Sequence, residues 1–157
     1  MEERNKKSIE FSKEQFLTLM KIVYLGNWMA NANRDGSHKD PVVKEYEKME
    51  DYIFSLATQF GFDKYLDHKP KDGDRYFPTG LFEEETGVNE LHDEYDENIF
   101  WDELPDRLGD RDFYKKYSKK DWEKMTQDER FLKLQECIVA WEKELEENGI
   151  ERIGIIK

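Results

Sequence analysis

Cysteine is almost missing from this chain of 157 residues: Cys137 is the only one, so no internal disulfide can form. A lone thiol is typical of proteins from a reducing compartment. Long apolar runs are missing as well, since the apolar-rich stretch 16–25 is interrupted by Thr18 and Lys21 and is too short to cross a bilayer. The charged first residues also lack the apolar core of a signal peptide. We therefore expect a cytoplasmic protein that contacts no membrane.

Basic residues are too few to balance the acidic ones, and the imbalance is local. The chain has 25 lysines and arginines against 37 acidic residues, a net charge of −12. Residues 81–112 alone hold 13 acids against two bases, Arg107 and Arg111, a net charge of −11. Such a field repels nucleic-acid phosphates and anionic lipids but attracts basic proteins. We therefore do not expect nucleic acid as a partner.

Stretches in which apolar and polar residues alternate are also missing, whereas helical patterns are frequent. Ser12 with Gln15 has the sequence of a capping box, and so has Thr126 with Glu129. Aromatic residues make up 14% of the chain, enough large side chains for a folded core. The sequence predicts one all-α domain over residues 1–157, a bundle of five or six helices. Its other expected features are a loop at residues 67–80, the acidic segment 81–112 and an apolar tail from residue 150 suited to a short C-terminal strand.

The acidic segment contains two apolar patterns that do not share one helical face. The first pattern occupies residues 88–99, and the second starts with Phe100 and Trp101. At about 100° per residue, the two patterns diverge by more than a third of a turn. Pro105 lies in the second pattern, and proline is poorly tolerated inside a helix. Either the helix breaks near Asn98, or two aromatic side chains lie on its acidic face. Because of Pro105 we predict the break, with a new helix from Pro105 to about Tyr117.

Five residues of this segment make up the predicted binding site for a partner protein: Glu90, Glu94, Glu97, Trp101 and Asp102. Carboxylates at one-turn spacing alternate here with aromatic rings. Opposite charge steers a basic partner toward such a surface, and desolvated aromatic rings supply most of the affinity. We interpret the chain as a non-enzymatic interaction or regulatory protein that binds a basic protein. The alternative, a surface that only keeps the chain in solution, stays open.

Two enzyme-like patterns offer an alternative of another class. His92 and Asp93 form a dipeptide similar to that of the HD metal-dependent phosphohydrolases, and His68 is a candidate third ligand. Carboxylate pairs one turn apart, Glu47 with Glu50 and Glu90 with Asp93, are similar to those of the all-α nucleotide pyrophosphohydrolases. In a chain with 37 acidic residues, surface carboxylates explain such pairs more simply. We therefore predict no catalytic residue, metal or cofactor, and keep His68, His92 and Asp93 as the alternative metal site.

Two stretches of the second half resemble a group of known proteins. Residues 100–112 have the pattern F-W-x-E-L-x-x-R-L-x-x-R-D, and residues 141–153 contain W-x-x-E-L-x-x-N-G-I-x-R. Together they resemble small acidic bacterial proteins of unassigned function. The resemblance implies a bacterial, cytoplasmic, helical protein and transfers no catalytic residue. A homo-oligomer is a further option, because residues 131–145 carry an apolar seam suited to packing against another helix.

Overall fold

The structure is a computed structural model that describes residues 7–154, apart from the side chain of Asp72. Contacts within the chain group it into two compact units, which divide between His92 and Asp93. The described residues form six α-helices and one two-stranded sheet. The prediction of a mostly helical protein with five or six helices is confirmed, and the sheet corrects its all-α form. The single-domain prediction stays a prediction.

The first unit begins with two packed helices, α1 (Lys13–Asn31) and α2 (Lys44–Ser55). The predicted capping box starts α1. The Gln15 amide N–H donates to Ser12 Oγ at 3.2 Å, and the Ser12 amide N–H donates to Gln15 Oε1 at 2.8 Å. These two bonds satisfy amides near the helix start that have no partner within the helix. The beginning of α1 is therefore determined by residues close to it in sequence.

A β-hairpin follows α2, where the sequence predicts a loop at residues 67–80. Strand β1 (Leu66–Lys69) pairs antiparallel with strand β2 (Arg75–Pro78). A short turn joins them, and its residues Gly73 and Asp74 adopt positive φ angles of 81° and 60°. The loop prediction is therefore wrong for residues 67–69 and 75–78, half of this stretch. Strands of four residues are too short for period-2 alternation to stand out, and the glycine and proline signals belong to the hairpin turn.

Aromatic side chains form much of the core of the first unit. Phe82 of helix α3 (Gly80–Thr86) is fully buried, and its ring packs edge-on against three other rings. The centroid separations are 5.5 Å to Tyr24, 5.1 Å to Phe54 and 5.7 Å to Tyr65. Such pairs contribute about 0.5–1.5 kcal/mol each beyond the buried area. These contacts fix α1 and α2 against α3.

One continuous helix, α4 (Val88–Lys116), replaces the two helices predicted for the acidic segment. Pro105 lies inside it, so the predicted break is wrong. Proline removes only one backbone donor, and Pro105 is itself buried, so packing offsets that loss. The two apolar patterns lie on different faces of α4 for a reason other than a helix break. Val88 is buried in the core of the first unit, whereas Leu108 and Phe113 are buried in the second.

Two further helices complete the second unit, α5 (Lys119–Trp122) and α6 (Gln127–Asn148). The predicted capping box starts α6, with the Glu129 amide N–H donating to Thr126 Oγ1 at 3.2 Å. Residues 150–154 form no strand, and the rest of the predicted apolar tail lies outside the described residues. Within residues 7–154, no helix is both long and apolar enough to span a membrane.

Helices α4 and α6 approach each other closely at Gly109. An ideal Cβ at this position would lie 2.5 Å from Cγ1 and 2.8 Å from Cα of Ile138. These distances are far below van der Waals contact, so a larger residue at 109 would push the helices apart. The buried apolar side chains of this unit lie on the same two helices: Pro105, Leu108, Phe113, Ile138 and Leu145. The core of the second unit therefore depends on this close approach.

Candidate functional site

An exposed stretch of α4 carries most of the predicted binding residues. Every residue from 93 to 103 is exposed, although the stretch contains several large apolar side chains. Tyr95 is 45% exposed, Phe100 47% and Trp101 36%, and Ile99 is similarly open. Neighbouring exposed apolar side chains often mark a site for another molecule. They lie here among carboxylates, so the surface combines apolar and acidic groups.

Three of the predicted site residues occupy one side of α4 in the second unit. Glu94, Glu97 and Trp101 follow spacings of three and four residues, which places them on one helical face, with Asp102 beside it. All five predicted site residues are exposed. The structure joins two of them directly, because Trp101 Nε1 donates to Glu97 Oε1 at 2.6 Å. Glu90 belongs to the first unit and the other four to the second. We call Glu94, Glu97, Trp101 and Asp102 the α4 surface.

An open cleft adjoins the α4 surface in the second unit. It has a volume of about 710 Å³, and helices α4 and α6 both line it. Its apolar residues include Trp101, Pro105 and Leu145, of which Pro105 and Leu145 are buried. Four carboxylates complete the wall: Asp102, Asp106, Glu142 and Glu146. We call this space the α4–α6 cleft.

The four carboxylates of the α4–α6 cleft have no partner among the described residues. No hydrogen bond or ion pair joins any of them to another described side chain, and no cationic residue lines the cleft. Nearby acidic residues outside the cleft do have ion-pair partners: Glu103 pairs with Arg107 at 3.0 Å, and Glu144 pairs with Arg152 at 3.3 Å. The negative charge of the cleft is therefore not neutralised by its neighbours. Asp106, Glu142 and Glu146 are absent from the predicted site.

A tryptophan on α6 fixes the position of this helix against α4. Asp112 accepts two hydrogen bonds at 2.8 Å, one from Arg111 Nε and one from Trp141 Nε1. The Arg111 guanidinium holds the pKa of Asp112 below its ordinary value, and the Trp141 bond adds to that effect. Hydrogen bonds to a charged acceptor are stronger than neutral ones. This arrangement stabilises the helix pair that forms the cleft.

The alternative metal site is not assembled in the described part of the chain. His68 Nε2 lies 2.6 Å from Asp74 Oδ1, and its ring stacks on Tyr76 at 4.4 Å. His92 packs edge-on against Trp28 with centroids 3.9 Å apart. No group of three or more His, Cys, Asp or Glu side chains within residues 7–154 is arranged to hold a metal ion. His68, His92 and Asp93 are therefore not gathered into a metal site there.

The paired carboxylates of α2 have structural contacts. Glu47 forms an ion pair with Arg75 of β2 at 2.8 Å. Glu50 is only 7% exposed and accepts a hydrogen bond from Asn27 Nδ2 of α1 at 2.8 Å. Burial raises the pKa of Glu50 to about 7, and the Asn27 bond and the Arg75 charge limit that rise. The sequence predicted Glu50 on a solvated face, and its burial shows that this prediction is wrong.

A polar ladder continues from Glu50 between α1 and α2. Asn31 Nδ2 donates to Asn27 Oδ1 at 2.7 Å, and Asn31 Oδ1 accepts the amide N–H of Val43 at 2.7 Å. The sequence contains one signal of this ladder. Asn27 and Asn31 lie one helical turn apart, so their side-chain amides can form a hydrogen bond on one face of α1. The ladder connects α1 to the start of α2 and orients Glu50.

Comparisons of the chain with protein-family models, curated proteins and solved structures find no match. The resemblance of residues 100–112 and 141–153 to small acidic bacterial proteins therefore stays a prediction. The side chains that line the α4–α6 cleft indicate which kind of ligand it suits. It offers apolar contact, four unpaired carboxylates and an opening toward solvent, a combination suited to an organic cation.

Proposed function

We propose that the chain is a non-enzymatic interaction protein that binds a basic segment of a partner protein through the α4 surface. One observation carries the proposal: every residue of the α4 surface is exposed although it includes Trp101, and the Phe100 ring packed against Trp101 is 47% exposed. Two neighbouring exposed aromatic rings among carboxylates are typical of a surface that another molecule covers. Contact with a partner would bury these rings and so stabilise the complex.

Charge indicates the chemistry of that partner. Residues 81–112 have a net charge of −11, which attracts a basic protein from a distance and repels nucleic-acid phosphates. The affinity would come mainly from desolvating Trp101 and Phe100, because solvent-exposed ion pairs contribute about 0–1 kcal/mol each. The proposed partner segment is therefore basic and amphipathic. No observation on the described residues favours the phosphohydrolase alternative.

The first test uses a designed basic peptide. The probe is a fluorescein-labelled helical peptide of about 18 residues, five turns long, with leucine on one face and arginine on the other. Fluorescence anisotropy measures its Kd for the whole chain. Replacing Glu94→Gln, Glu97→Gln and Asp102→Asn together should raise the Kd about tenfold at about 100 mM NaCl, since three attractive charges are lost.

A matched variant controls for net charge. Glu10→Gln, Glu84→Gln and Glu151→Gln remove the same charge at exposed positions outside the α4 surface. This variant should keep the wild-type Kd within about twofold, because those side chains do not contact the peptide. An equal loss in both variants would show that only total charge matters. That result, or no binding by the wild-type chain, would overturn the proposal.

A further inference from the structure

The α4–α6 cleft is positioned to hold one side chain of a bound segment. It adjoins the α4 surface through two shared residues, Trp101 and Asp102. We infer that the cleft binds a single arginine side chain of the partner, with the guanidinium against the Trp101 indole and the carboxylates around it. This inference rests on the proposed function and names the chemical group that anchors the partner.

The size and lining of the cleft suit such a group. Its volume of about 710 Å³ lies within the range of about 300–1,000 Å³ that is usual for small-molecule sites. Pro105 and Leu145 offer apolar contact for the methylene groups of an arginine. Trp101 is held by its bond to Glu97 and by edge-on packing with Phe100 at 5.2 Å. The indole is therefore oriented before a ligand arrives.

The charge of the cleft favours a cationic ligand. Asp102 and Asp106 lie one turn apart on α4, and Glu142 and Glu146 lie one turn apart on α6. None of the four is paired with another described residue, so like charges face one cavity without compensation. Like charges one turn apart repel each other. A bound cation would relieve this repulsion, which makes the cleft complementary in charge to a basic side chain.

Arginine fits better than a metal ion or a lysine. No described group of three or more carboxylates, histidines or cysteines is arranged for a metal ion. A lysine ammonium is strongly hydrated, whereas a guanidinium is weakly hydrated, planar and able to stack on an aromatic ring. Its five N–H groups also match several acceptors at once.

The test isolates the arginine from the peptide. N-acetyl-arginine N-methylamide is titrated into the ¹⁵N-labelled whole chain while the Trp101 indole N–H signal is followed by NMR. Trp101→Phe assigns that signal among the four tryptophans. We expect a saturating shift with a Kd of about 1–10 mM, the range for a ligand with few contacts. The lysine analogue should bind at least about threefold more weakly, and the uncharged citrulline analogue should cause no saturating shift.

Two double variants locate the binding site. Asp106→Asn with Glu146→Gln should raise the Kd for the arginine amide at least about fivefold, because two of the four charges are lost. Asp110→Asn with Glu136→Gln changes unpaired, exposed carboxylates outside the cleft and should leave that Kd within about twofold. Circular dichroism confirms that each variant is folded. No shift of Trp101, an equal effect of lysine or citrulline, or equal losses in both variants would overturn the inference.

The two proposals fail in different ways. If the arginine amide binds at Trp101 but the basic peptide does not bind, the arginine site stands and the proposed function is wrong. If the peptide binds and the α4 surface variant weakens it, while the arginine amide leaves Trp101 unchanged, only the inference about the cleft is wrong.

Discussion

At the scale of single residues, Glu50 has an environment that favours its neutral form. It is buried between α1 and α2, and its main partner is the neutral Asn27 amide. Its pKa is raised from the ordinary 4.5 to about 7. Since the folded state binds the proton more tightly than the unfolded state, this residue stabilises the fold fully below about pH 4.5. That contribution is lost as the pH rises through about 7.

The first prediction concerns Glu50→Gln, which removes this titration. Between pH 4.5 and pH 8 the free energy of unfolding of the wild type should fall by about 2–4 kcal/mol relative to the variant. Urea denaturation at several pH values gives the comparison, and its slope with pH does not depend on a constant packing difference. Glu45→Gln, at an exposed position of the same helix, should keep the wild-type slope. Parallel curves for wild type and Glu50→Gln would contradict the prediction.

At the scale of elements, the contact between α4 and α6 depends on the absence of a side chain at Gly109. A Cβ there would collide with both the side chain and the backbone of Ile138. Backbone atoms cannot move aside as a flexible side chain can. The two helices would have to separate, and the α4–α6 cleft would change shape with them.

We therefore predict that Gly109→Ala lowers the free energy of unfolding by about 2–3 kcal/mol, despite the better helix propensity of alanine. Gly26→Ala is the matched control, because its nearest neighbour, Tyr46 Cδ1, lies 3.9 Å from an ideal Cβ. That substitution in α1 should stabilise by up to about 1 kcal/mol. Chemical denaturation of both variants measures the difference. Stabilisation by both alanines would show that the helices do not need the glycine.

The elements that the sequence predicted correctly are those whose signals are local. The capping boxes at Ser12 and Thr126 involve residues three apart, so they can be read without knowledge of the fold. The continuity of α4 through Pro105 depends on burial by distant residues, which no local pattern shows. The α4–α6 cleft was missed for the same reason. Glu142 and Glu146 lie some 40 residues from Trp101, and only packing brings them to one cavity.

At the scale of the whole molecule, the excess of negative over positive charge opposes folding. The chain carries a net charge of −12, and −11 of it lies in residues 81–112. Compacting like charges raises their mutual repulsion, and dissolved salt screens it over a Debye length of about 10 Å at 0.1 M. The acidic α4–α6 cleft is one place where this repulsion is concentrated.

Added NaCl should therefore stabilise the chain at neutral pH. We expect the melting temperature to rise by about 2–5 °C between about 20 mM and 500 mM NaCl, because screening weakens carboxylate repulsion. The variant with Asp102→Asn, Asp106→Asn, Glu142→Gln and Glu146→Gln keeps a net charge of −8 and should show a smaller rise. Differential scanning calorimetry measures both. A melting temperature that stays constant or falls with salt would show that attractive ion pairs dominate.

Gly109 also provides a criterion for recognising distant relatives of this chain. Acidic surface residues can exchange with one another over evolution without affecting packing, so they are poor markers of common ancestry. The contact at Gly109 does not allow such exchange, because a Cβ there would meet the backbone of Ile138 whatever the side chain at 138, and it fits only if the helices move. A homologue with the same helix pair should therefore keep glycine at position 109. This glycine would mark a relative even where the acidic pattern has diverged.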